Sequence, residues 1–525
     1  MIIVGIGGIL SEAASAILKD GVLVGAVEQR KLARRLRPGE LPEEAIAVCL
    51  RLAGAREQDI DCVAIARPLA SGPEAVMHLE LRAKFPNSQI LLVDHHTAHA
   101  ASAYYASPFE EATVLTLDSA GDFRCGARWQ AAGNQIALDK ELYYPDSLGA
   151  LYSRVTALLG FEPNADEHKV QWLSSAGDDR FREVFVEILG MKSGEWPRID
   201  RTFFDSERMR HGGFGARLYQ RLGLADGAPV PEALHAAVAA GLQHAVEQAV
   251  LVMAGSGRNL CLAGGLCHNA LLVAALESSG HWENVFVQPA AGNAGTALGA
   301  VFHAWHSVYQ QPARAGMDSL CLGPGYDAEA IKQVLENCKL RFRYLLTAEE
   351  VIERAVGEIN GEKIVAWMQG RMEFGPRALG NRSILASPLN PYSTENLNIY
   401  IKHREQFRKF AASVPAELAA EYFEVGANAR FLATAGRVRP KYRRQFDSAV
   451  LGEDRIRVHT VREQDNPVYW KLLHAFGRAT GLPVLYNTSF NLFGDPLVCT
   501  PRDAVRSFYS SGIDSMFVGN FWLQK

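Results

Sequence analysis

The 525-residue sequence lacks the cysteine pattern of a zinc ribbon or a disulfide scaffold. Its eight cysteines are scattered along the chain, and none of them forms a CxxC pair. Scattered thiols are typical of a protein kept in a reducing compartment. The first residues, MIIVGIGG, also lack the basic and apolar regions of a signal peptide. We therefore expect a cytoplasmic protein.

A dominant charge and a long apolar run are missing as well. The 54 Lys and Arg residues nearly balance the 58 Asp and Glu residues, for a formal net charge of −4, which gives no bulk attraction to nucleic acid or to an anionic membrane. The longest apolar helical candidate, near 232–254, is interrupted by His235, Gln243 and Glu247. The sequence therefore predicts neither nucleic acid nor a membrane as a partner. An anionic ligand must be bound by local clusters of Arg and Lys.

Apolar strands alternate with helical stretches in the first part of the chain, which is too long for a single core. Strands are expected at 2–7 and 112–117, and Asp20-Gly21 between two apolar runs predicts a hairpin, because both turn positions need a positive φ. A strand, a glycine turn and a helix recur at 259–268. This pattern predicts α/β layers with a ligand crevice at the carboxyl ends of the strands. Two halves that each open with a hairpin suggest a two-lobed, actin-like ATPase fold.

The regular alternation weakens between 310 and 345, and we place a domain boundary near 340. The predicted domains are an actin-like α/β domain at 1–340 and an α+β or α/β domain at 341–525. In the second domain a capping pattern at Thr347 predicts a helix start. Strands are expected there at 363–368, 483–485 and 516–521.

A histidine pair marks the start of a helix expected around 98–106. His95 and His99 are four residues apart, so on a helix both imidazoles lie on one face and can share a cation. Asp118, which follows the next strand, could supply an oxygen ligand. A hydrogen-bonded helix start without a metal, with His96 as a bystander, is the alternative. We predict a metal site at these residues.

Glycine turns and cationic segments supply the other candidates. Gly264 and Gly265 follow an apolar strand and allow a ligand to approach the backbone, although tight strand–helix packing explains them equally well. The segment 370–383 contains three Arg and three Gly residues, and 402–409 adds a second cationic segment. Guanidinium groups on a glycine-rich backbone favour phosphate or carboxylate binding. The polar segment 487–491 is expected to follow a strand and to add hydrogen-bond donors.

Blocks spread over nearly the whole chain resemble the O-carbamoyltransferase family of nodulation, cephamycin and tobramycin carbamoylating enzymes. The blocks are DHHTAHAASAYYASPFEEATVLTLDSAGD, SLGALYSRVTALLGF, AGGLCHN, GNAGTALGAV, GRMEFGPRALGNRSIL, IKHREQFRKFAASV and LPVLYNTSFN. The resemblance implies an N-terminal domain similar to the tRNA threonylcarbamoyladenosine transferase. It also implies a C-terminal domain that makes carbamoyl-adenylate from carbamoyl phosphate and ATP.

The resemblance also implies the roles of individual residues. The metal, of iron type, would be bound by His95, His99 and Asp118, with Asn293 at the position of the last carboxylate. Substrate and nucleotide contacts, with magnesium on ATP, would come from Gly264, Gly265, Asn269, Lys169, Arg382, Arg408, Arg457, Asn487, Thr488, Ser489 and Asn491. Catalytic roles would fall to Arg377, Lys402 and Arg404. The acceptor would be a small molecule, and a homodimer is left open.

The sequence departs from the family in the acceptor site. The family's His-Asp-Ser block, whose histidine activates the acceptor, is replaced by Ser11-Glu12-Ala13, and Asn293 carries an amide where the family has a carboxylate. The segments at 169–174 and 451–453 also differ. Glu12 could act as the base if burial raised its pKa, or the acceptor could be an amine that needs little activation.

Several other functions compete with carbamoyl transfer. A diverged member could catalyse another ATP-dependent acyl, amide-forming or condensation reaction in a natural-product pathway. The chain could also be a non-catalytic, nucleotide-binding partner subunit. Modification of tRNA is disfavoured by the acidic net charge, since the one basic run, 437–444, is as readily a solvated loop. A sugar kinase would leave the C-terminal domain unexplained.

Overall fold

The computed structural model describes residues 1–33, 38–67, 74–192, 194–312, 314, 317–450, 452, 454–492 and 494–525. The sequence departures at 451 and 453 lie outside these residues. The α-helices of the described chain are α1 Glu43–Ala53, α2 Glu74–Lys84, α3 His95–Tyr104, α4 Leu148–Leu158, α5 Glu167–Ser174, α6 Arg182–Ile188, α7 Ala216–Arg221, α8 Glu232–Ala254, α9 Ala270–Ser278, α10 Thr296–Phe302, α11 Ala328–Asn337, α12 Ala348–Asn360, α13 Ser393–Asn396, α14 Ala419–Tyr422, α15 Pro467–Thr480 and α16 Pro501–Tyr509.

The first sheet opens with the predicted hairpin. Its strands are β1 Ile2–Gly7, β2 Ala14–Lys19, β3 Val22–Glu28, β4 Cys62–Ala66 and β5 Gln89–Val93, in the order β3-β2-β1-β4-β5. β2 is antiparallel to both β1 and β3, whereas β4 and β5 extend the sheet in parallel with β1. The hairpin turn has positive φ at Asp20 and Gly21, as the sequence predicts.

The second sheet repeats this topology. Its strands are β6 Glu111–Gly121, β7 Arg124–Ala132, β8 Gln135–Tyr143, β9 Gly257–Ala263 and β10 Trp282–Val287, in the order β8-β7-β6-β9-β10. The pairings again run antiparallel through the two hairpins and then parallel to β9 and β10. Two lobes with one duplicated sheet topology make the N-terminal part an actin-like ATPase fold.

Helices α3 and α10 pack closely between the lobes. A side chain at Gly299 of α10 would lie 1.7 Å from the carbonyl oxygen of Ala98 in α3, so the close approach of the two backbones requires glycine there. Both helices contribute to an alanine-rich core that touches both sheets. This packing fixes α3, which carries the histidine pair, against the second lobe.

The third sheet is built from the C-terminal part of the chain and is mixed. Its strands are β11 Arg343–Tyr344, β12 Val365–Met368, β13 Arg382–Ala386, β14 Ala411–Pro415, β15 Phe423–Glu424, β16 Ala435–Val438, β17 Arg455–Val461, β18 Leu485–Ser489, β19 Ser515–Val518 and β20 Phe521–Gln524. Their order is β11-β20-β19-β12-β13-β18-β14-β17-β16-β15. The predicted boundary near 340 stays a prediction; α11, which precedes it, packs in the core of this sheet.

Some element boundaries differ from the sequence expectation. The helix expected from 98 begins at His95, because the Asp94 carboxylate caps it by accepting from the Thr97 N–H. The single strand expected at 516–521 is the hairpin of β19 and β20. The strand expected at 483–485 instead spans Leu485–Ser489, so part of the polar segment lies on the strand.

By length and composition α8 is the one helix in the described part of the chain that could cross a membrane, and 67% of its most apolar stretch is buried inside the protein. Its apolar residues pack in the core of the second lobe. In this structure α8 is a core helix.

Candidate active site

Two histidines of α3 and one aspartate of β6 meet in the interior. The cap at Asp94 places His95 in the first turn of α3, with His99 one turn later on the same face. His95 Nε2 lies 2.8 Å and His99 Nε2 3.3 Å from Asp118 Oδ2. One ligand atom from each residue lies within 4.8 Å of the others, and all three residues are buried. The structure thus brings the three predicted ligands into an arrangement that could hold a metal ion.

Asp118 and His99 have protonation states that suit a cation, whereas the hydrogen bond to Asp118 outweighs burial and raises the pKa of His95. Burial alone would raise the pKa of Asp118, but hydrogen bonds from His95 and His99 outweigh burial and hold this pKa well below its ordinary value. Burial lowers the pKa of His99, in spite of Asp118 beside it. A carboxylate and a neutral imidazole are the forms in which these side chains bind metals.

Asn293 adds an amide oxygen next to the cluster. Its Nδ2 donates to Ser11 Oγ over 2.9 Å. Its Oδ1 is buried without a hydrogen-bond partner among the described residues, and so is Nδ1 of His99. Since buried polar atoms normally have partners, these orphaned atoms fit a bound cation. His95, His99, Asp118 and Asn293 are therefore suited to hold the implied metal.

His96 takes no part in this cluster. Its Nδ1 lies 2.8 Å from Thr116 Oγ1, and its Nε2 lies 3.0 Å from the carbonyl oxygen of Arg124. Burial lowers the pKa of His96 to about 3. The His96 ring is therefore a neutral core side chain with both of its nitrogens hydrogen-bonded.

Glu12 and His268 border one small space beside the metal cluster. A side chain at Gly292 would lie 2.6 Å from Glu12 Oε2 and 2.9 Å from His268 Nε2. His268 Nε2 accepts a hydrogen bond from the Gly292 N–H over 2.9 Å, so its lone pair is already used. Glu12 is half-buried. Sequence reasoning missed His268 as a site residue, although it lies in the AGGLCHN block.

The Gly264-Gly265 turn faces the cluster, and its two glycines differ in role. Gly264 has φ +98, and a side chain there would lie 2.1 Å from the carbonyl oxygen of Leu117, so packing explains this glycine. A side chain at Gly265 would lie 3.3 Å from Asp118 Oδ1, so this glycine leaves room at the site. Asn269 caps α9 by accepting from two backbone N–H groups, and its Nδ2 donates to Gln243. As folded, its side chain is engaged within the protein.

Four arginines form a cationic cluster at the junction of the two parts of the chain. Burial, and then the positive charges of Arg377, Arg404 and Arg408, lower the pKa of Arg457 well below its ordinary value. Burial and Arg408 lower the pKa of Arg404 to about 9, and its Nη2 is buried without a partner among the described residues. Burial, and then the positive charges of Arg408, Arg377 and Arg457, lower the pKa of His168 to about 3. Crowded, buried guanidinium groups are costly unless an anion compensates them.

Lys169 lies beside this cluster and is already paired. Its ammonium group lies 2.7 Å from Glu405 and 2.9 Å from Asp166. Arg408 lies 3.9 Å from the same Glu405. Lys169 therefore joins α5 to the 402–409 segment as an ion pair across the two parts of the chain.

Lys402 holds the polar segment around Ser489. Its Nζ donates to the carbonyl oxygens of Ser489 and Asn491 at 2.5 Å and 2.9 Å, and to Asn491 Oδ1 at 2.8 Å. Burial lowers the pKa of Lys402 well below its ordinary value. Ser489 Oγ and Asn491 Oδ1 are 2.8 Å apart. Thr488 is half-buried on β18.

Arg382 and Asn487 hold the 370–383 loop from inside. The Arg382 guanidinium is fully buried and donates to the carbonyl oxygens of Gln369, Gly370, Asn381 and Pro324. Asn487 Nδ2 donates to the carbonyl oxygen of Ala378 at 3.0 Å. These contacts differ from the expected substrate contacts: the side chains shape the loop because its backbone carbonyls turn inward. Sequence spacing alone does not distinguish these two uses of arginine.

A cavity of about 520 Å³ opens beside this loop, lined by Arg30, Lys31, Gly375, Ser489 and Asn491 among others. Arg30 and Lys31 come from the N-terminal lobe and were not singled out in the sequence. In the sequence, these two residues are marked only by the charged run that begins at the end of β3. They add two cationic side chains to the same side of the loop as the predicted Ser489 and Asn491.

The fold and the site together define a two-lobed, actin-like ATPase-fold protein with a His/His/Asp cluster, joined to a second part that carries an arginine cluster. The family model described as Carbamoyltransferase N-terminus matches residues 72–302, and the one described as Carbamoyltransferase C-terminus matches residues 356–525. The chain belongs to the carbamoyltransferase family, and it is therefore a transferase.

Two relatives with similar sequences agree with this assignment. The nodulation protein NolNO of Sinorhizobium fredii is 33% identical over 561 residues, which cover 98% of this chain and 79% of the relative. A 3′-hydroxymethylcephem-O-carbamoyltransferase of Amycolatopsis lactamdurans is 31% identical over 274 residues, covering 51% of this chain and 49% of the relative. Among solved structures, the activator of the 2-hydroxyisocaproyl-CoA dehydratase from Clostridium difficile has a TM-score of 0.35 at 14% identity, covering 59% of this chain and 96% of the activator.

Proposed function

We propose that this protein makes carbamoyl-adenylate from carbamoyl phosphate and ATP in its C-terminal part, 341–525, and transfers the carbamoyl group to a hydroxyl or amine of a small molecule in its N-terminal part, 1–340. The observation that carries the proposal is the cluster of Arg377, Arg404, Arg408 and Arg457. Its buried positive charges repel one another, and two polyanionic substrates would compensate them. Natural-product biosynthesis is the proposed setting. Eight free thiols support a cytoplasmic location.

The first step consumes one water molecule in addition to carbamoyl phosphate and ATP. Water cleaves carbamoyl phosphate to carbamate and phosphate, and the carbamate oxygen then attacks the α-phosphorus of ATP. The bond between the α- and β-phosphates breaks and pyrophosphate leaves with its electron pair. Arg377, Arg404 and Arg408 would stabilise the charge that gathers on the phosphate oxygens. Magnesium would accompany ATP.

The other C-terminal residues have supporting roles in this proposal. Lys402 holds Ser489 and Asn491 at the cavity wall, where these side chains and Thr488 would contact the nucleotide. Arg382 and Asn487 would act through the loop they hold rather than by touching a substrate. Lys169 would position Glu405 and, through it, Arg408.

The second step would take place at the His/His/Asp cluster. His95, His99, Asp118 and Asn293 would hold a divalent metal of iron type, which would bind the carbamoyl-adenylate and polarise its carbonyl group. Gly265 leaves room for the adenylate beside Asp118. The acceptor oxygen or nitrogen forms a bond to the carbamoyl carbon, AMP leaves with the electrons of the broken C–O bond, and Glu12 would take the acceptor proton.

Pyrophosphate release tests the first step without any acceptor. The purified protein, supplied with Mg²⁺, Fe²⁺, carbamoyl phosphate and ATP, should release pyrophosphate and form carbamoyl-adenylate detectable by mass spectrometry. Arg377→Ala should reduce the rate about 100-fold or more, whereas Arg437→Ala, at an exposed position of the same part of the chain, should not. No pyrophosphate from the wild-type protein would overturn the proposal in favour of a non-catalytic partner subunit or another acyl donor.

A further inference from the structure

A second cavity, of about 340 Å³, lies beside the backbone turn that follows Asp118 and has no role in the chemistry described above. Its wall comes from the first turns of α4 and from the segment 199–213. It includes the apolar side chains of Leu151, Phe204 and Met209 and the charged side chains of Arg154 and Arg201. Its volume is in the range of small-molecule sites.

Two contacts tie this cavity to the segment that carries Asp118. Ser147, which lines the cavity, donates from Oγ to the carbonyl oxygens of Ser119 at 2.7 Å and of Asp118 at 3.3 Å. The N–H of Tyr144, at the rim, donates to the carbonyl oxygen of Phe123 over 2.8 Å. The cavity therefore adjoins the turn that begins at the metal ligand.

Two large apolar side chains that line the cavity are also exposed to solvent. Tyr144 is 48% and Met209 53% exposed. Exposed apolar groups concentrated at a cavity mouth mark a binding site. They favour a ligand with an apolar face.

The charges inside the cavity favour an anion. The Arg154 guanidinium donates to the carbonyl oxygen of Gly212 at 3.2 Å and contacts the Met209 sulfur, and it has no carboxylate partner among the described residues. Arg201 is exposed and lies 3.7 Å from Asp146. Among the described residues that line the cavity the one carboxylate is Asp205, which is engaged by the N–H of Glu207 and by Arg208. The positive charge of Arg154 is therefore not neutralised by a carboxylate of the cavity wall.

We infer that this cavity binds the acceptor, and that the acceptor is a hydroxylated small molecule with an apolar face and a carboxylate or other anionic group. The inference rests on the proposed carbamoyl transfer. The apolar face would lie against Phe204 and Met209, and the anion would face Arg154 and Arg201. A polycationic acceptor would be repelled by the same two arginines.

Three matched probes test this assignment on the full-length protein without ATP. They are 4-(hydroxymethyl)benzoate, benzyl alcohol and 4-(aminomethyl)benzyl alcohol, which share a ring and a hydroxymethyl group and differ in charge. Saturation-transfer NMR titrations should show that the anion binds about fivefold or more tighter than the cation. Arg201→Glu should abolish this preference, and Met209→Trp should weaken the binding of all three probes.

Control variants separate the cavity from the general surface. Arg258→Glu and Leu79→Trp make the same charge and size changes at exposed positions elsewhere and should leave probe binding unchanged, and melting temperatures confirm that every variant is folded. Equal affinity for the three probes, or a preference unchanged in Arg201→Glu, would overturn the inference. The pyrophosphate assay is run separately: its failure refutes the carbamoyl-adenylate proposal, whereas failed probe binding beside intact pyrophosphate release refutes the acceptor cavity alone.

Discussion

The ammonium group of Lys31 donates a hydrogen bond to the carbonyl oxygen of Gly375 over 2.7 Å, although the two residues are 344 positions apart. The same group donates to the carbonyl oxygen of Glu373 at 2.9 Å and pairs with the Glu28 carboxylate at 2.8 Å. Glu28 Oε1 in turn accepts from the Gly375 N–H. A buried ion pair from the end of β3 thus fixes the loop that presents Arg377. The N-terminal lobe is therefore part of the structure that orients the C-terminal arginine loop.

Removal of Lys31 alone should destabilise the protein strongly. Lys31→Met leaves the Glu28 carboxylate buried and uncompensated, which costs about 3–5 kcal/mol of unfolding free energy. Urea unfolding followed by circular dichroism measures this loss. Because the loop loses two hydrogen bonds at its backbone, pyrophosphate release should also slow.

The double variant Glu28→Gln/Lys31→Met serves as the matched control. It removes both charges, so its loss of unfolding free energy should be clearly smaller than that of Lys31→Met. Equal losses in the single and double variants would show that the pair contributes no buried charge coupling.

Metal affinity should follow the charge of the ligand set. Asp118→Asn removes the one carboxylate of the cluster and should weaken Fe²⁺ or Mn²⁺ binding about 100-fold. Asn293→Asp adds a second carboxylate at an oxygen that is buried without a partner and should tighten binding. Anaerobic calorimetric titration measures both affinities without turnover.

His96→Asn provides a control at a neighbouring histidine whose ring is bonded to Thr116 and to the Arg124 backbone. Its metal affinity should stay within a few-fold of the wild type. If His96→Asn weakened binding as much as Asp118→Asn, the ligand assignment would be wrong.

Sequence reasoning predicts the duplicated fold well, because hairpin and strand–turn–helix signals are local. The Asp20-Gly21 turn and β4 occur where the sequence places them. Spacing of four residues on a helix also brings His95 and His99 together, since helix geometry fixes that relation.

Contacts between distant parts of the chain could not be predicted in this way. Lys31 and Glu28 look like ordinary surface charges in the sequence, yet both are buried at 2% side-chain exposure. Arg377 and Arg382 occupy similar positions in one Arg/Gly-rich block. Only the fold separates Arg377, which faces the arginine cluster, from Arg382, which binds backbone carbonyls.

Acid should destabilise the C-terminal sheet through His459. Burial lowers the pKa of His459 to about 3, and its ring bonds to Ser413 and stacks on Tyr469. The unfolded chain, with a histidine pKa of about 6.5, therefore takes up a proton between about pH 6.5 and 3 that the folded chain rejects. Stability is complete above about pH 6.5 and falls as the pH drops. At about pH 5.5 this single group costs about 1.4 kcal/mol.

His459→Asn removes the histidine that the unfolded chain protonates. The unfolding free energy of this variant should therefore decline less between pH 7 and pH 5.5 than that of the wild type. His281→Asn, at an exposed histidine, should leave the pH profile unchanged. Parallel profiles for the wild type and His459→Asn would contradict the burial of a neutral ring.

Substitution of Glu12 should slow the second step, carbamoyl transfer, without affecting the first step, carbamoyl-adenylate formation. The Glu12 carboxylate and the His268 ring both border the space beside Gly292. The lone pair of His268 Nε2 already accepts a hydrogen bond from the Gly292 N–H. Of these two side chains, Glu12 is therefore the one that can accept a proton from the acceptor. Glu12→Gln keeps the shape and removes the basicity. Carbamoyl transfer to a hydroxyl acceptor should slow about 100-fold or more, while pyrophosphate release without acceptor stays unchanged. Glu232→Gln, at an exposed position, is the control for both assays. Glu12→Asp distinguishes a base from a structural role: it keeps a carboxylate and should retain part of the transfer activity, whereas a Glu12→Asp variant as slow as Glu12→Gln would mean that Glu12 only supports the turn.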